Sequence, residues 1–243
     1  MIGLIDSGVG GLSVLASLES LLPHEEFLYL SDVKNFPYGS KTRAEIQRHL
    51  SEAIALLLSR GATAIVLACH AASVSADEEW KRNFPVPIIG MVEATMESLV
   101  DGKLGLLATE ATIRSGVYQK AIPGLTCVEC PDLANHIQNR SPDLHKTIRK
   151  YTRPLIGQDL AGVILGCTHY AFASNEIEEE LDLSTRLLNP ALAAAQMASS
   201  LLQNPKLQTH QPKHTLFSSE DPTPIKQFLE YFPLSSPFII KKI

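Results

Sequence analysis

TAIVLACHAAS, residues 63–73, decides the fold. The apolar run TAIVLA shows no polar alternation, and it stops at Cys69 with His70 directly behind. A short continuous apolar run of this kind is a strand buried on both faces, as in parallel sheets covered by helices. Comparable runs stand at 2–5 (IGLI), 27–30 (FLYL), 87–90 (PIIG), 104–108 (LGLLA), 125–130 (LTCVEC), 162–166 (GVILG) and 214–217 (HTLF). Between them lie stretches with helical spacing at 11–21, 41–59, 72–83, 92–99, 112–120, 144–157, 174–180, 190–203 and 222–231. Strands alternating with helices define the α/β class.

The opening stretch also has an echo. AIVLACHAA (64–72) resembles GVILGCTHY (162–170), and IGLIDS (2–7) resembles LGLLAT (104–109). The cysteines Cys69 and Cys167 are 98 residues apart, and the glycines Gly3 and Gly105 are 102 apart. Two different motifs repeated at nearly one spacing point to a duplicated half. The expected architecture is therefore two pseudo-symmetric α/β domains with mostly parallel sheets and the active site in the cleft between them. The expected division is 1–95 plus 209–243 for the first domain and 96–208 for the second. The final segment rejoins the first domain after the polar stretch QNPKLQTHQPKH (203–214). Ligands of such sheets bind beyond the carboxyl ends of the strands, where both cysteines fall.

Composition narrows the class. The 243 residues are 45% hydrophobic and carry a net charge of −5, enough for real cores and without the basic stripe of a nucleic-acid binder. The terminal KKI (241–243) reads as a solvated tail. MIGLI is too short for a signal peptide, and no run reaches the roughly 18 apolar residues of a membrane span. The expected location is cytoplasmic, with the four cysteines reduced.

Cys69 and Cys167 each sit between a strand and a helix start, where a thiol can be activated. A zinc site of Cys69, His70, Cys167 and His169 has suitable atoms, but adjacent ligands and missing two-to-four-residue gaps argue against it. DSGVGG (6–11) ends the first strand and opens a helix. Its glycines allow close backbone approach to a ligand, yet Ser13 breaks the dinucleotide fingerprint. Asp6 is placed to orient or deprotonate a nearby thiol. FPYGSK (36–41) is a turn whose Tyr38 and amides can line a pocket. CVEC (127–130) lies in a strand, so its cysteines face opposite sides, and neither redox nor metal function is expected of it. His24, His49, His136, His145, His210 and His214 form no constellation and are expected at surface or structural positions.

Taken together, IGLIDSGVGGLSVL (2–15), SDVKNFPYGSKT (31–42), IVLACHAAS (65–73), PIIGMVE (87–93), LGLLATEATIRSGVY (104–118), CP (130–131) and VILGCTHY (163–170) resemble the glutamate racemases of the cofactor-independent aspartate/glutamate racemase superfamily. The resemblance implies a two-base mechanism. One cysteine as thiolate removes the α-proton of a free amino acid, and the other as thiol protonates the opposite face. It implies Cys69 and Cys167 as the acid/base pair, Asp6 assisting Cys69, and His169 assisting Cys167. It further implies Ser7, Pro37, Tyr38, Gly39, His70, Ala71, Thr112 and Thr168 as substrate contacts. No pyridoxal phosphate, other cofactor or metal is implied. Glutamate is the implied substrate, D-glutamate for peptidoglycan the product, and a homodimer the assembly. Family members activated by a cell-wall precursor carry an N-terminal extension. Met1 runs straight into the first strand, so no such activation is expected.

The chain departs from the family in three places. Cys69-His70-Ala71 stands for the usual Cys-Asn-Thr. Gln138 aligns with a glutamate of Val-Glu-Gly that supports the histidine. Asn189 and Pro190 replace the acid and serine of Val-Asp-Ser. These departures leave three readings open: glutamate racemisation with compensating contacts, racemisation of another amino acid, or a weakly active or inactive homologue that acts as a binding module.

Overall fold

The computed structural model describes residues 1–201 and 212–243. The expected end of a helix at 203, the 208/209 boundary and His210 lie outside the described residues. Among the described residues, ten strands form two sheets. They are β1 (Ile2–Asp6), β2 (Phe27–Ser31), β3 (Ala64–Leu67), β4 (Ile88–Gly90), β5 (Leu104–Ala108), β6 (Thr126–Glu129), β7 (Gly162–Gly166), β8 (Arg186–Leu188), β9 (His214–Ser218) and β10 (Phe238–Lys242). The first sheet has the order β10-β9-β2-β1-β3-β4 and the second β6-β5-β7-β8. Every strand pairing is parallel.

The duplication is visible in that order. β2-β1-β3-β4 and β6-β5-β7-β8 have the same topology, with β1 matching β5 and β3 matching β7. The interior strands β1, β3, β5 and β7 are buried throughout, so their sequences show no polar alternation. β9 and β10 extend the first sheet beyond β2. The helix Ala191–Ser200 falls in the second half of the sequence division, yet Ala191, Ala194, Ala195 and Ala198 pack among Leu12, Val14, Leu15 and Leu18 in the core of the first sheet.

Local chemistry accounts for where several elements differ from expectation. The helix Arg43–Ser59 starts one residue after Thr42, whose side chain and Glu45 form a reciprocal capping box. The expected helix 72–83 is two pieces, His70–Ser75 and Glu78–Lys81, because Asp77 turns the chain and caps the second through Trp80 N at 2.9 Å. The expected helix 112–120 is broken by Gly116 at φ 68°, a left-handed conformation that glycine adopts without strain. The expected 144–157 ends as a helix at Thr152, before Pro154. The terminal KKI is not a free tail: Lys241 and Lys242 belong to edge strand β10, and Ile243 N donates to Ser218 O at 2.9 Å. Exposed lysines on an edge strand discourage pairing with another chain.

A buried pair fastens this extension. His214 on β9 is 0% exposed and contacts Glu19 Oε1 at 2.8 Å. Glu19 also accepts from Ser235 N at 3.0 Å and Ser236 N at 2.8 Å. Burial alone would raise the Glu19 carboxyl, but these bonds outweigh it and hold the group below its ordinary value. Glu19→Ala is expected to cost about 3–5 kcal/mol, because it leaves His214 buried without its partner. Urea unfolding of Glu19→Ala beside Glu19→Gln, which keeps an acceptor, checks this. Because the folded pKa is depressed, the stabilisation is present above about 4.5 and is lost as pH falls through the folded value.

Candidate active site

The carboxyl ends of β3 and β7 carry the two thiols. Cys69 follows β3 with φ −149° and ψ 125°, and Cys167 follows β7 with φ −153° and ψ 131°. Each is the extended residue immediately before a helical turn, so the duplicated strand ends present two cysteines in one backbone geometry. All four cysteines are free. Cys69 and Cys167 line the same cavity between the sheets, together with Ser7, Pro37, Tyr38, Gly39, His70, Ala71 and His169. Its free volume is about 20 Å³, little more than the roughly 10–15 Å³ a water requires.

Thr112 and Thr168 stand just behind this wall. Thr112 Oγ1 bonds Thr109 Oγ1 at 3.1 Å, and Thr168 Oγ1 donates to Asp6 Oδ2 at 3.1 Å across the two halves. Thr109 itself lines the cavity and was not singled out from sequence. The echo marks it, because Thr109 occupies the place of Ser7 in the duplicate. Phe36 and Ala134 also line the cavity without a sequence signal that separates them from core residues.

Around Cys69, Ser7 Oγ lies 3.9 Å from Sγ. Asp6 is 0% exposed and Oδ1 accepts from Gly8 N at 2.6 Å. Burial pushes the Asp6 carboxyl up to about 7, against the pull of its Gly8 and Thr168 hydrogen bonds. Burial, then the Asp6 charge, push the Cys69 thiol up to about 12. Cys167 is likewise raised, by burial and by Cys69. Both cysteines are therefore thiols at neutral pH.

Around Cys167 the partner is His169, with Sγ 3.8 Å from Nδ1. The other ring nitrogen, Nε2, lies 3.0 Å from Gln138 Oε1. Val9 N donates to the same Oε1 at 3.2 Å. A backbone N–H can only donate, so it fixes this atom as the amide oxygen and His169 Nε2 as protonated. Nδ1 is then the lone pair that faces the Cys167 thiol. Burial lowers His169 to about 3, which keeps the ring neutral.

Two glycines of DSGVGG, Gly8 and Gly10, are required by this junction. A Cβ on Gly8 would lie 2.3 Å from Gln138 Oε1, and one on Gly10 would lie 2.4 Å from His169 Nδ1. Gln138 sits on the helix Leu133–Gln138, an element that the periodicity did not single out. Asn189 Oδ1 accepts from Ala191 N at 3.1 Å, two residues on, in the turn that leads into the next helix. Among the described residues, no three His, Cys, Asp or Glu side chains gather to hold a metal ion, and no helix is long and apolar enough to cross a membrane.

Two buried thiols line one cavity, with Ser7 beside one and His169 beside the other, a set of groups that can take up and release protons. The chain belongs to the Asp/Glu/Hydantoin racemase family, whose model matches residues 2–198. It is 34% identical to a glutamate racemase of Pseudomonas entomophila, over 94% of this chain and 92% of that protein. Among solved structures it resembles glutamate racemase from Thermus thermophilus in complex with β-chloro-D-alanine. That match has a TM-score of 0.88 and 33% identity, over 100% of this chain and 96% of the other. It also resembles glutamate racemase from Francisella tularensis in complex with D-glutamate, with a TM-score of 0.87 and 26% identity over 100% and 96% of the two chains.

Proposed function

We propose that the chain interconverts L- and D-glutamate by a cofactor-independent two-thiol acid/base mechanism and supplies D-glutamate for peptidoglycan. The observation that carries this reading is the pair of cysteines in matched backbone geometry at one closed cavity. The relatives' names, and the D-glutamate bound by one solved neighbour, support the choice of substrate.

In this mechanism Asp6 takes up the Cys69 proton and His169 Nδ1 takes up that of Cys167, so either thiol can become the thiolate that removes the α-proton. The opposite thiol donates to the other face. The substrate lies against Ser7, the Pro37-Tyr38-Gly39 loop, His70 and Ala71, with Thr112 and Thr168 behind them. Closure excludes water and holds the thiols rigidly at Cα, as proton transfer demands. The acting unit is a homodimer in the cytoplasm.

Solvent deuterium incorporation at Cα, followed by proton NMR with L- and D-glutamate supplied separately, tests the reading. Exchange from both enantiomers is the expected result. Absence of exchange by folded protein overturns the glutamate assignment.

A further inference from the structure

The carboxyl ends of β2 and β9, neighbours in the first sheet, lead directly into Asp32 and Ser219. The helix Arg43–Ser59 brings Arg48, His49 and Glu52 to the same place. With Lys34 these residues line a pocket of about 330 Å³, in the ~300–1,000 Å³ range of small-molecule sites. It stands beyond the carboxyl ends of parallel strands, where open α/β sheets hold their ligands. None of its residues lines the catalytic cavity.

Tyr38 connects the two. It lines the catalytic cavity and is fully buried. Its hydroxyl donates to Asp32 Oδ2 at 2.7 Å. Its ring stacks on His49, with centroids 6.0 Å apart and planes 23° apart. Both groups that hold Tyr38 therefore belong to the second pocket, and a ligand there acts on them directly.

What that pocket has left to offer is donors. The Asp32 carboxylate is spent, because it also accepts from Asn35 Nδ2 at 3.0 Å on each oxygen. Glu52 meets Arg48 only at 3.9 Å with both side chains exposed. Such a pair is worth little, so Arg48 is free to turn to a ligand. Ser219 Oγ accepts from Lys34 N at 3.0 Å, and its own proton remains to donate. His49 is 8% exposed. Its Nε2 lies 3.5 Å from Arg48 Nη2. A guanidinium can only donate, so Nε2 accepts and Nδ1 carries the ring proton. Nδ1 is buried without a partner, and a buried donor left unmade burdens the fold.

An ammonium, a guanidinium, an imidazole N–H and a hydroxyl thus arrive from three separate elements. They suit an acceptor whose oxygens point in several directions, as those of a tetrahedral phosphate do and the two coplanar oxygens of a carboxylate do not. We propose that this pocket binds a small phosphate-bearing molecule through Lys34, Arg48, His49 and Ser219, and that its occupation fixes Tyr38 and so tightens glutamate in the catalytic cavity. The phosphate site stands on its own residues, and only the coupling rests on the racemase reading.

Calorimetric titration of inorganic phosphate tests the site, with potassium chloride at matched ionic strength as the control. The proteins are the wild type, His49→Phe and the double variant Lys34→Met/Arg48→Met. The wild type is expected to bind phosphate and not chloride. His49→Phe keeps a ring against Tyr38 but lacks the N–H, and should bind phosphate roughly 10- to 100-fold more weakly, the value of a hydrogen bond to a charged group. The double variant changes two exposed side chains. It should melt as the wild type does and lose phosphate binding. The coupling is read with DL-glutamate, a mixture that racemisation leaves unchanged. Saturating phosphate should tighten glutamate about fivefold in the wild type, the low end of usual coupling between sites. It should have no effect in the double variant, whose glutamate affinity without phosphate matches the wild type. Equal phosphate binding by the wild type and the double variant overturns the proposal. So does competition between phosphate and glutamate, which would put the ion in the catalytic cavity, and so does phosphate binding that leaves glutamate affinity unchanged. Glutamate binding without Cα exchange in the wild type overturns the racemase reading alone and leaves the phosphate comparison intact.

Discussion

Cys69→Ser and Cys167→Ser should each remove racemisation and leave Cα exchange, where any survives, confined to one enantiomer, with the two variants losing opposite ones. A serine hydroxyl is far harder to ionise than a thiol and cannot serve as the base at neutral pH. Loss of one positioned acid/base group costs about 10²- to 10⁴-fold in rate, and racemisation needs both groups in each turnover. The structure gives the experiment clean controls. Both side chains are buried, Cys69 at 7% and Cys167 at 8% exposed, and serine is slightly smaller than cysteine, so the fold should persist. Deuterium NMR on each enantiomer with each variant reads the result. If either variant still exchanges both enantiomers at the wild-type rate, its cysteine is not one of the two bases.

The features that the sequence made legible are those written in contiguous residues. Strands β3, β5 and β7 are unbroken apolar runs and β1 and β2 carry a polar residue only at their ends, and the paired cysteines follow β3 and β7. Features set by distant contacts were less legible. β8 is three residues, RLL, too short to show a period. β10 ends in lysines, which read as a tail because nothing local reveals that β9 waits beside it. Gln138 is 129 residues from Val9 and 31 from His169. Its place depends on the two halves meeting, and so does the reason Gly8 and Gly10 must be glycine. Ala71 and Gln138 were both legible as departures from a family pattern. Only the structure shows that Gln138 still holds the histidine.

The duplicate halves share a scaffold and differ in chemistry at two matched positions. Where the first half has Asp6 at the end of β1, the second has Ala108 at the end of β5. Where the second has His169 two residues after Cys167, the first has Ala71 two residues after Cys69. In the proposed mechanism each thiol is thus served by one auxiliary group from its own half, a carboxylate for Cys69 and an imidazole for Cys167. The Asp6–Thr168 and Val9–Gln138 bonds cross between halves, so the contact between the halves ties Asp6 to one and the partner of His169 to the other. A reaction that must run in either direction needs two competent bases, and they need not be the same kind.

Asp6→Asn should lower activity sharply and make the protein more stable at neutral pH. The Asp6 carboxyl is fully buried and stands at about 7 against an ordinary 3.8. A folded pKa raised in this way means that the folded protein holds the proton more tightly than the unfolded chain does. The corresponding stability is complete below 3.8 and is lost as pH rises through 7. At 1.36 kcal/mol per pKa unit, ionised Asp6 costs the fold about 4 kcal/mol above that range. Asparagine has nearly the same shape. It can still accept from Gly8 N, and it can donate to Thr168 Oγ1, so much of that cost should be relieved. Denaturant unfolding between pH 4 and 8 should show wild-type stability falling across the interval while Asp6→Asn holds level. The Glu19 contribution belongs to lower pH and has the opposite slope. Catalysis should show the complement: wild-type kcat/KM rises through about pH 7 as Asp6 becomes able to take the Cys69 proton, and the variant lacks that limb. If Asp6→Asn is destabilised at neutral pH, the carboxylate is a structural group, and the base for Cys69 lies elsewhere in the cavity.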